Sequence, residues 1–139
     1  VDLPNKIAYK EGYKYQLFAD TWMRDDRLLQ LPDFRTEWFW KKGNLLFVRG
    51  GYAWDGPSGP TFDTQDSMRG SLFHDIIYQA IRMGLMDKKW RKLGDQFLYE
   101  ICEIDGMNPI RNKAWYRAVR LFAAAAAEYG TEQEIQYAP

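Results

Sequence analysis

Cysteine is almost missing from this chain. Cys102 stands alone, which excludes an internal disulfide and a cysteine-based zinc site and leaves a small buried apolar residue as its simplest role. Histidine is as scarce, and a single copy, His74, excludes a His-rich metal site and any His-Glu-x-x-His protease. Net charge is missing too: 19 basic and 19 acidic residues cancel, so no global field draws the protein to a phosphate backbone or an anionic membrane. No nucleic-acid partner is expected on that ground. No apolar run approaches membrane-span length, so no transmembrane segment is expected, and the residues from Val1 onward lack the shape of a signal peptide. Neither a Gly-x-x-x-x-Gly-Lys loop nor a Gly-x-Ser-x-Gly elbow occurs, which removes the common signatures of nucleotide and serine-hydrolase chemistry.

Apolar and aromatic residues are plentiful, at 46% and 17% of 139 residues, enough for one domain with a real core. The expected fold is α+β, a small N-terminal antiparallel β-sheet followed by three α-helices, the first two an antiparallel pair. Strands are expected over about residues 5–52, a loop over 53–65, and helices over about 66–83, 87–105 and 109–129, all in a single domain spanning 1–139. Tyr13, Tyr15, Leu17 and Ala19 alternate with polar residues as a half-buried strand does. Thr36–Trp40 and Leu45–Val48 flank Lys41-Lys42-Gly43-Asn44, a hairpin turn; residues 20–35 read as a long connection, with Arg27-Leu28-Leu29 as a short edge strand. The first helix takes Asp66 or Ser67 as N-cap and stops at Gly84; the second starts at Asp87 and ends at Gly106. The third opens at Asn108-Pro109 and runs to Gly130, with Trp115, Val119 and Phe122 inward and Lys113, Arg117 and Arg120 outward.

Chemistry concentrates where a Gly/Pro-rich loop, Trp54-Asp55-Gly56-Pro57-Ser58-Gly59-Pro60-Thr61, precedes the helix bearing His74, Asp75 and Tyr78. The short connection between the first two helices sets Asp95 opposite Ile76, an axial offset of about 3 Å from His74. Asp95 is therefore placed to hold one ring nitrogen of His74, with Tyr78 one turn along as a further anchor, leaving the other nitrogen to take a proton from water. Asp75 points about a quarter turn away toward Trp54, Asp55, Gly56 and Ser58, and Asp75 with Asp55 supplies hard oxygen donors of the kind calcium prefers. Three other readings stay open. The histidine ties helix to helix and does no chemistry; Ser58 with His74 and Asp95 forms a nucleophile triad; Lys88-Lys89-Trp90-Arg91-Lys92 is a nucleic-acid patch and not an ordinary solvated face.

Gly51, Tyr52, Asp55, Ser58 and Pro60 in the loop, His74, Asp75 and Tyr78 on the next helix, and Asp95 on the one after resemble the pattern of the domain-of-unknown-function 1353 family of bacteriophages and prophages. The resemblance covers most of the chain and departs from the pattern at Gly59, where a branched aliphatic is common. It implies a phage origin, in the host cytoplasm or the virion, with no settled activity. More locally, Gly56, Gly59, Pro60, His74, Asp75, Tyr78 and Asp95 resemble the plan of phospholipases A2, without their dense glycine pattern in the calcium loop. That similarity implies a water-activating His74, a calcium-binding Asp75, an orienting Asp95, and a lipid or cell-envelope substrate. The abundance of aromatics equally suits a virion or tail accessory protein, or one that contacts a phage or host protein.

Overall fold

The computed structural model describes residues 1–12, 14–56 and 64–128. Among them the fold is α+β: short antiparallel strands come first and three α-helices follow. The strands are β1 (Tyr9–Lys10), β2 (Tyr15–Leu17), β3 (Thr21–Arg24), β4 (Phe34–Arg35), β5 (Phe39–Lys42), β6 (Leu45–Val48) and β7 (Ala53–Trp54). They form two sheets where one was expected, a three-stranded one in the order β1-β2-β7 and a four-stranded one in the order β3-β6-β5-β4. β5 and β6 make the expected hairpin, but its turn is only Gly43-Asn44, with Lys42 paired to Leu45 and Gly43 at φ +58°, the positive value a tight hairpin asks of its first central residue.

The expected 20–35 connection holds β3, β4 and, in place of an edge strand at Arg27-Leu28-Leu29, a 3-10 helix over Asp26–Gln30. Asp25 caps it by accepting from the Arg27 backbone N–H at 2.9 Å, a local bond that competes with strand pairing. Lys41, read as a turn residue, lies in β5 with its stem buried. Its Nζ donates to the carbonyls of Leu28 at 3.0 Å and Leu31 at 2.7 Å and meets Asp33 Oδ1 at 2.8 Å, clamping the 3-10 segment to the sheet. Arg27 extends the tie to the helices through two bonds of 2.8 Å to Glu100.

The first helix, α1, spans Gln65–Arg82. Its N-cap is Thr64 and not Asp66 or Ser67, because the Ser67 hydroxyl reaches back to the Thr64 backbone, accepting from its N–H at 3.2 Å and donating to its carbonyl at 2.8 Å. Gly84 closes the helix at φ +76°, where Leu85 N–H takes the Ala80 carbonyl. Buried residues run almost unbroken from Ser67 to Ile81, so α1 is the central rod of the molecule and not a one-sided surface helix. A 3-10 turn over Lys88–Trp90, capped by Asp87, leads into α2 (Arg91–Ile104), which packs antiparallel against α1. Met23, Phe39, Leu46 and Val48 from the inner face of the four-stranded sheet share one core with Leu72, Phe73, Ile76 and Ile77 of α1.

Two glycines set how close the helices approach. A Cβ on Gly94 would fall 2.9 Å from Ile77 Cγ2, and one on Gly70 would meet Cys102 Sγ at 2.9 Å and the Leu98 carbonyl at 3.2 Å. The Gly70 neighbour is partly backbone and cannot swing aside. Gly70→Ala is therefore expected to lower stability by about 1–3 kcal/mol, the usual cost of overpacking. A midpoint in urea unchanged from wild type would contradict this.

The third helix, α3 (Pro109–Phe122), is capped by Asn108, whose Oδ1 accepts from Ile110 N–H at 2.9 Å, with Trp115 and Val119 buried as expected. It does not continue to Gly130. After Phe122 a 3-10 turn over Ala124–Ala127 brings Ala127 into the core, and Arg91 of α2 donates to the Val119 carbonyl at 3.3 Å and the Arg120 carbonyl at 3.1 Å, satisfying the helix end. Helix propensity in the alanine run yields to that tertiary stop. Tyr13 and everything from residue 129 onward lie outside the described residues.

Candidate functional site

His74 sits midway along α1 and is 5% exposed, and Asp95 of α2 is fully buried beside it. His74 Nε2 and Asp95 Oδ1 are 2.8 Å apart, so the interhelical contact read from the short connection is present. Tyr78 donates its hydroxyl to the same oxygen at 2.6 Å, and its ring leans on the imidazole with centroids 4.2 Å apart. The other carboxylate oxygen, Oδ2, takes Arg120 Nη1 of α3 at 2.7 Å and stands 3.5 Å from Arg91 Nη1. Three helices thus converge on one carboxylate, and both of its oxygens are occupied.

The electrostatics follow from that geometry. Burial works against ionising Asp95, and the hydrogen bonds from His74, Tyr78 and Arg120 outweigh it, holding the carboxyl below its ordinary value. Burial alone would depress the His74 imidazolium; Asp75 and Asp95 reverse this and raise it above its ordinary value. Tyr78 is raised as well, by burial and by the Asp95 charge. Asp75 lies half-buried with Oδ1 3.8 Å from His74 Nδ1, a separation beyond hydrogen-bond reach. Burial raises the Asp75 carboxyl, His74 opposes the rise, and the Asp55 carboxylate adds to it.

The loop residues divide. Trp54 belongs to β7 and to the core: it is 2% exposed, donates its indole N–H to Ser71 Oγ at 3.1 Å, and packs against Tyr9 and Tyr15, so it offers no surface to a ligand. Asp55 is exposed and paired with Lys14 at 3.2 Å. Gly56 is buried where a side chain would strike the Tyr15 ring. Ser58 lies outside the described residues, as do its neighbours from 57 to 63.

For calcium, the resemblance implies Asp75 with Asp55. Among the described residues no three His, Cys, Asp or Glu side chains gather as a metal cluster, and Asp55 is already engaged by Lys14. The described residues thus offer two carboxylates, one of them so engaged, toward the six to eight oxygens calcium takes.

Arg91 and Arg120 are the members that sequence reasoning missed. Arg91 was read into a solvated basic stretch and Arg120 onto an outer face. The spacing Arg91–Asp95, four residues on one helix, was the available signal for the first. Nothing local marks Arg120, which reaches Asp95 only because the last turn of α3 is laid against α2. No family model matches the chain, and no curated protein and no solved structure is found to be similar to it.

Proposed function

We propose that this protein is a hydrolase in which His74 activates water, of the phage family whose motifs it resembles, acting on a carboxylic ester of a lipid or another cell-envelope component. The observation that carries this reading is the assignment of the two ring nitrogens. Asp95 holds Nε2–H at 2.8 Å, whereas Nδ1 has no carboxylate within hydrogen-bond reach, Asp75 standing at 3.8 Å. Nδ1 is then the atom that takes a proton as a water oxygen attacks the ester carbonyl, and it returns that proton to the leaving alkoxide. Asp95 stabilises the imidazolium formed in between, and Tyr78 and Arg120 fix Asp95 in turn.

A second reading has its own observation. Asp95 is fully buried and ties α1, α2 and α3 together, which is what a purely structural polar lock does in a non-enzymatic virion, tail or host-interaction protein. Release of fatty acid from phospholipid vesicles, and of fragments from bacterial envelope, separates the two. On the hydrolase reading wild type releases product and His74→Ala, folded by circular dichroism, is slower by about 10²–10⁴-fold. Absence of release by wild type from either substrate leaves the structural lock as the role of His74.

A further inference from the structure

A cleft of about 470 Å³ opens where α2 and α3 meet the 3-10 segment that carries Arg27, and none of its lining residues belongs to the network around His74. The two helices run antiparallel there, with Asn112 Nδ2 donating to the Tyr99 carbonyl at 2.9 Å and Arg120, eight residues further along α3, reaching Asp95. A spacing of three along each helix puts Gln96 with Tyr99 on one wall and Lys113 with Tyr116 on the other. The two tyrosine rings meet edge to face, centroids 5.6 Å apart at 68°, so they form a corner and do not cover one another. Among the described residues no other ring and no cation is stacked on either. The Gln96 amide, the Lys113 ammonium and both tyrosine hydroxyls likewise bond to no protein group among those residues. The remaining lining pair is closed on itself: Arg27 is held by Glu100 at 2.8 Å and by Asp25 at 2.9 Å, so two carboxylates offset its charge. Each Glu100 oxygen accepts one bond from Arg27 and keeps a lone pair for another donor.

We propose that this cleft binds a neutral oligosaccharide, the apolar face of one pyranose ring seated in the Tyr99–Tyr116 corner and its hydroxyls bonded to Gln96, Glu100 and Lys113. A sugar hydroxyl both donates and accepts, and the planar amide of Gln96 and carboxylate of Glu100 offer matching donors and acceptors side by side, as two neighbouring hydroxyls require. The pyranose C–H groups carry slight positive charge and gain from the negative face of a phenol ring. The cleft volume lies in the range of small-ligand sites and accommodates a di- or trisaccharide. Other ligand classes fit this lining less well. No aliphatic side chain lines the cleft, so a lipid tail or the apolar side chains of a peptide find no seat. An anion would meet Lys113 alone, because the Arg27 charge is already offset and Glu100 repels it.

The probes are tri-N-acetylchitotriose, cellotriose and maltotriose, followed by saturation-transfer NMR and titration calorimetry on the whole chain. At least one of them is expected to bind with an affinity indifferent to salt, as an uncharged ligand should. Tyr116→Ala should weaken that binding by about tenfold or more, whereas Tyr116→Phe, which keeps the ring, should stay within about threefold. Gln96→Ala removes an amide that packs no core and carries the test if Tyr116→Ala does not fold, with an expected loss of about fivefold. Lys113→Glu separates the charge classes, since it should abolish capture of an anion and leave a neutral sugar bound. Binding is read without turnover, so this result stands apart from that of the hydrolase reading. No transfer to any of the three sugars, binding unchanged in both Tyr116→Ala and Gln96→Ala, or salt-sensitive binding of an acidic peptide in their place overturns the proposal.

Discussion

Asp95→Ala is expected to cost about 3–5 kcal/mol of folding stability, the largest effect of any single substitution considered for this chain. The carboxylate is fully buried, and its loss strips partners from four groups on three helices. Those groups do not suffer equally. Arg120 is 30% exposed along its side chain and can turn to water, and Arg91 keeps the carbonyls of Val119 and Arg120. His74 has no such escape and the Tyr78 hydroxyl keeps only the bond it accepts from Arg91 at 3.3 Å, and each unsatisfied buried polar group costs about 1–3 kcal/mol. Most of the loss therefore comes from the α1 side of the network. Asp95→Asn should cost less, because one oxygen still accepts from Tyr78 while the charge opposite the arginines is gone. The measurement is the urea midpoint of the three proteins. A loss below about 1 kcal/mol for Asp95→Ala would mean that the network is not holding the helices together.

Stability is expected to peak in a mildly acidic window and to fall on both sides of it. His74 is raised in the folded protein from its ordinary 6.5, so the stabilisation by its imidazolium is complete below 6.5 and disappears as pH climbs through the folded value. Each unit of that rise is worth about 1.4 kcal/mol. Asp95 is lowered from 3.8, so its contribution is complete above 3.8 and is lost as pH falls through the folded value. Asp75, raised from 3.8 by burial, lowers stability as pH climbs from 3.8 through its folded value, since its ionised form is the one the fold disfavours, and so tilts the maximum toward the acid end of the window. The other charged or titratable groups facing His74 and Asp95 here are Tyr78, Arg91 and Arg120, and Tyr78, raised by burial and by Asp95, stays neutral in this window. Urea midpoints across the range should therefore be highest between about 3.8 and 6.5, and His74→Gln should flatten the alkaline decline. Hydrolysis by His74 runs the other way, since only neutral imidazole accepts a proton, so its rate should rise with pH through the same group. A stability profile that climbs from 6.5 toward alkaline pH would contradict the assignment.

The helical half was largely legible in the sequence because its signals are local. Gly84, Asp87, Gly106 and Asn108-Pro109 mark where helices break and restart through φ freedom, capping oxygens and the missing proline N–H, none of which needs a distant partner. The short connection after α1 then brought Asp95 to His74, since two antiparallel helices have one degree of sliding and the turn removes it. The strand half was read less well. Two-residue strands such as β1, β4 and β7 carry too few positions for alternation to register, and they exist only because a partner strand supplies the other half of each ladder.

Charge placement was the other blind spot. Lys41 and Lys42 are adjacent and look alike as sequence, yet one is clamped on two carbonyls inside the fold and the other lies on an exposed aromatic face. Trp54 read as part of an open loop, whereas β7 turns it into the core over Ser71.

The sequence by itself determined an α+β chain with three helices, their punctuation, and the meeting of His74 with Asp95, because propensity, capping and a tight connection act over a few residues. Only the tertiary structure decided that Arg91 and Arg120 close the network around Asp95, that α3 stops at Phe122, and that cations and aromatics share one sheet face. Those depend on which surfaces are pressed together, and long side chains choose among partners tens of residues away by burial and charge, which no local pattern encodes.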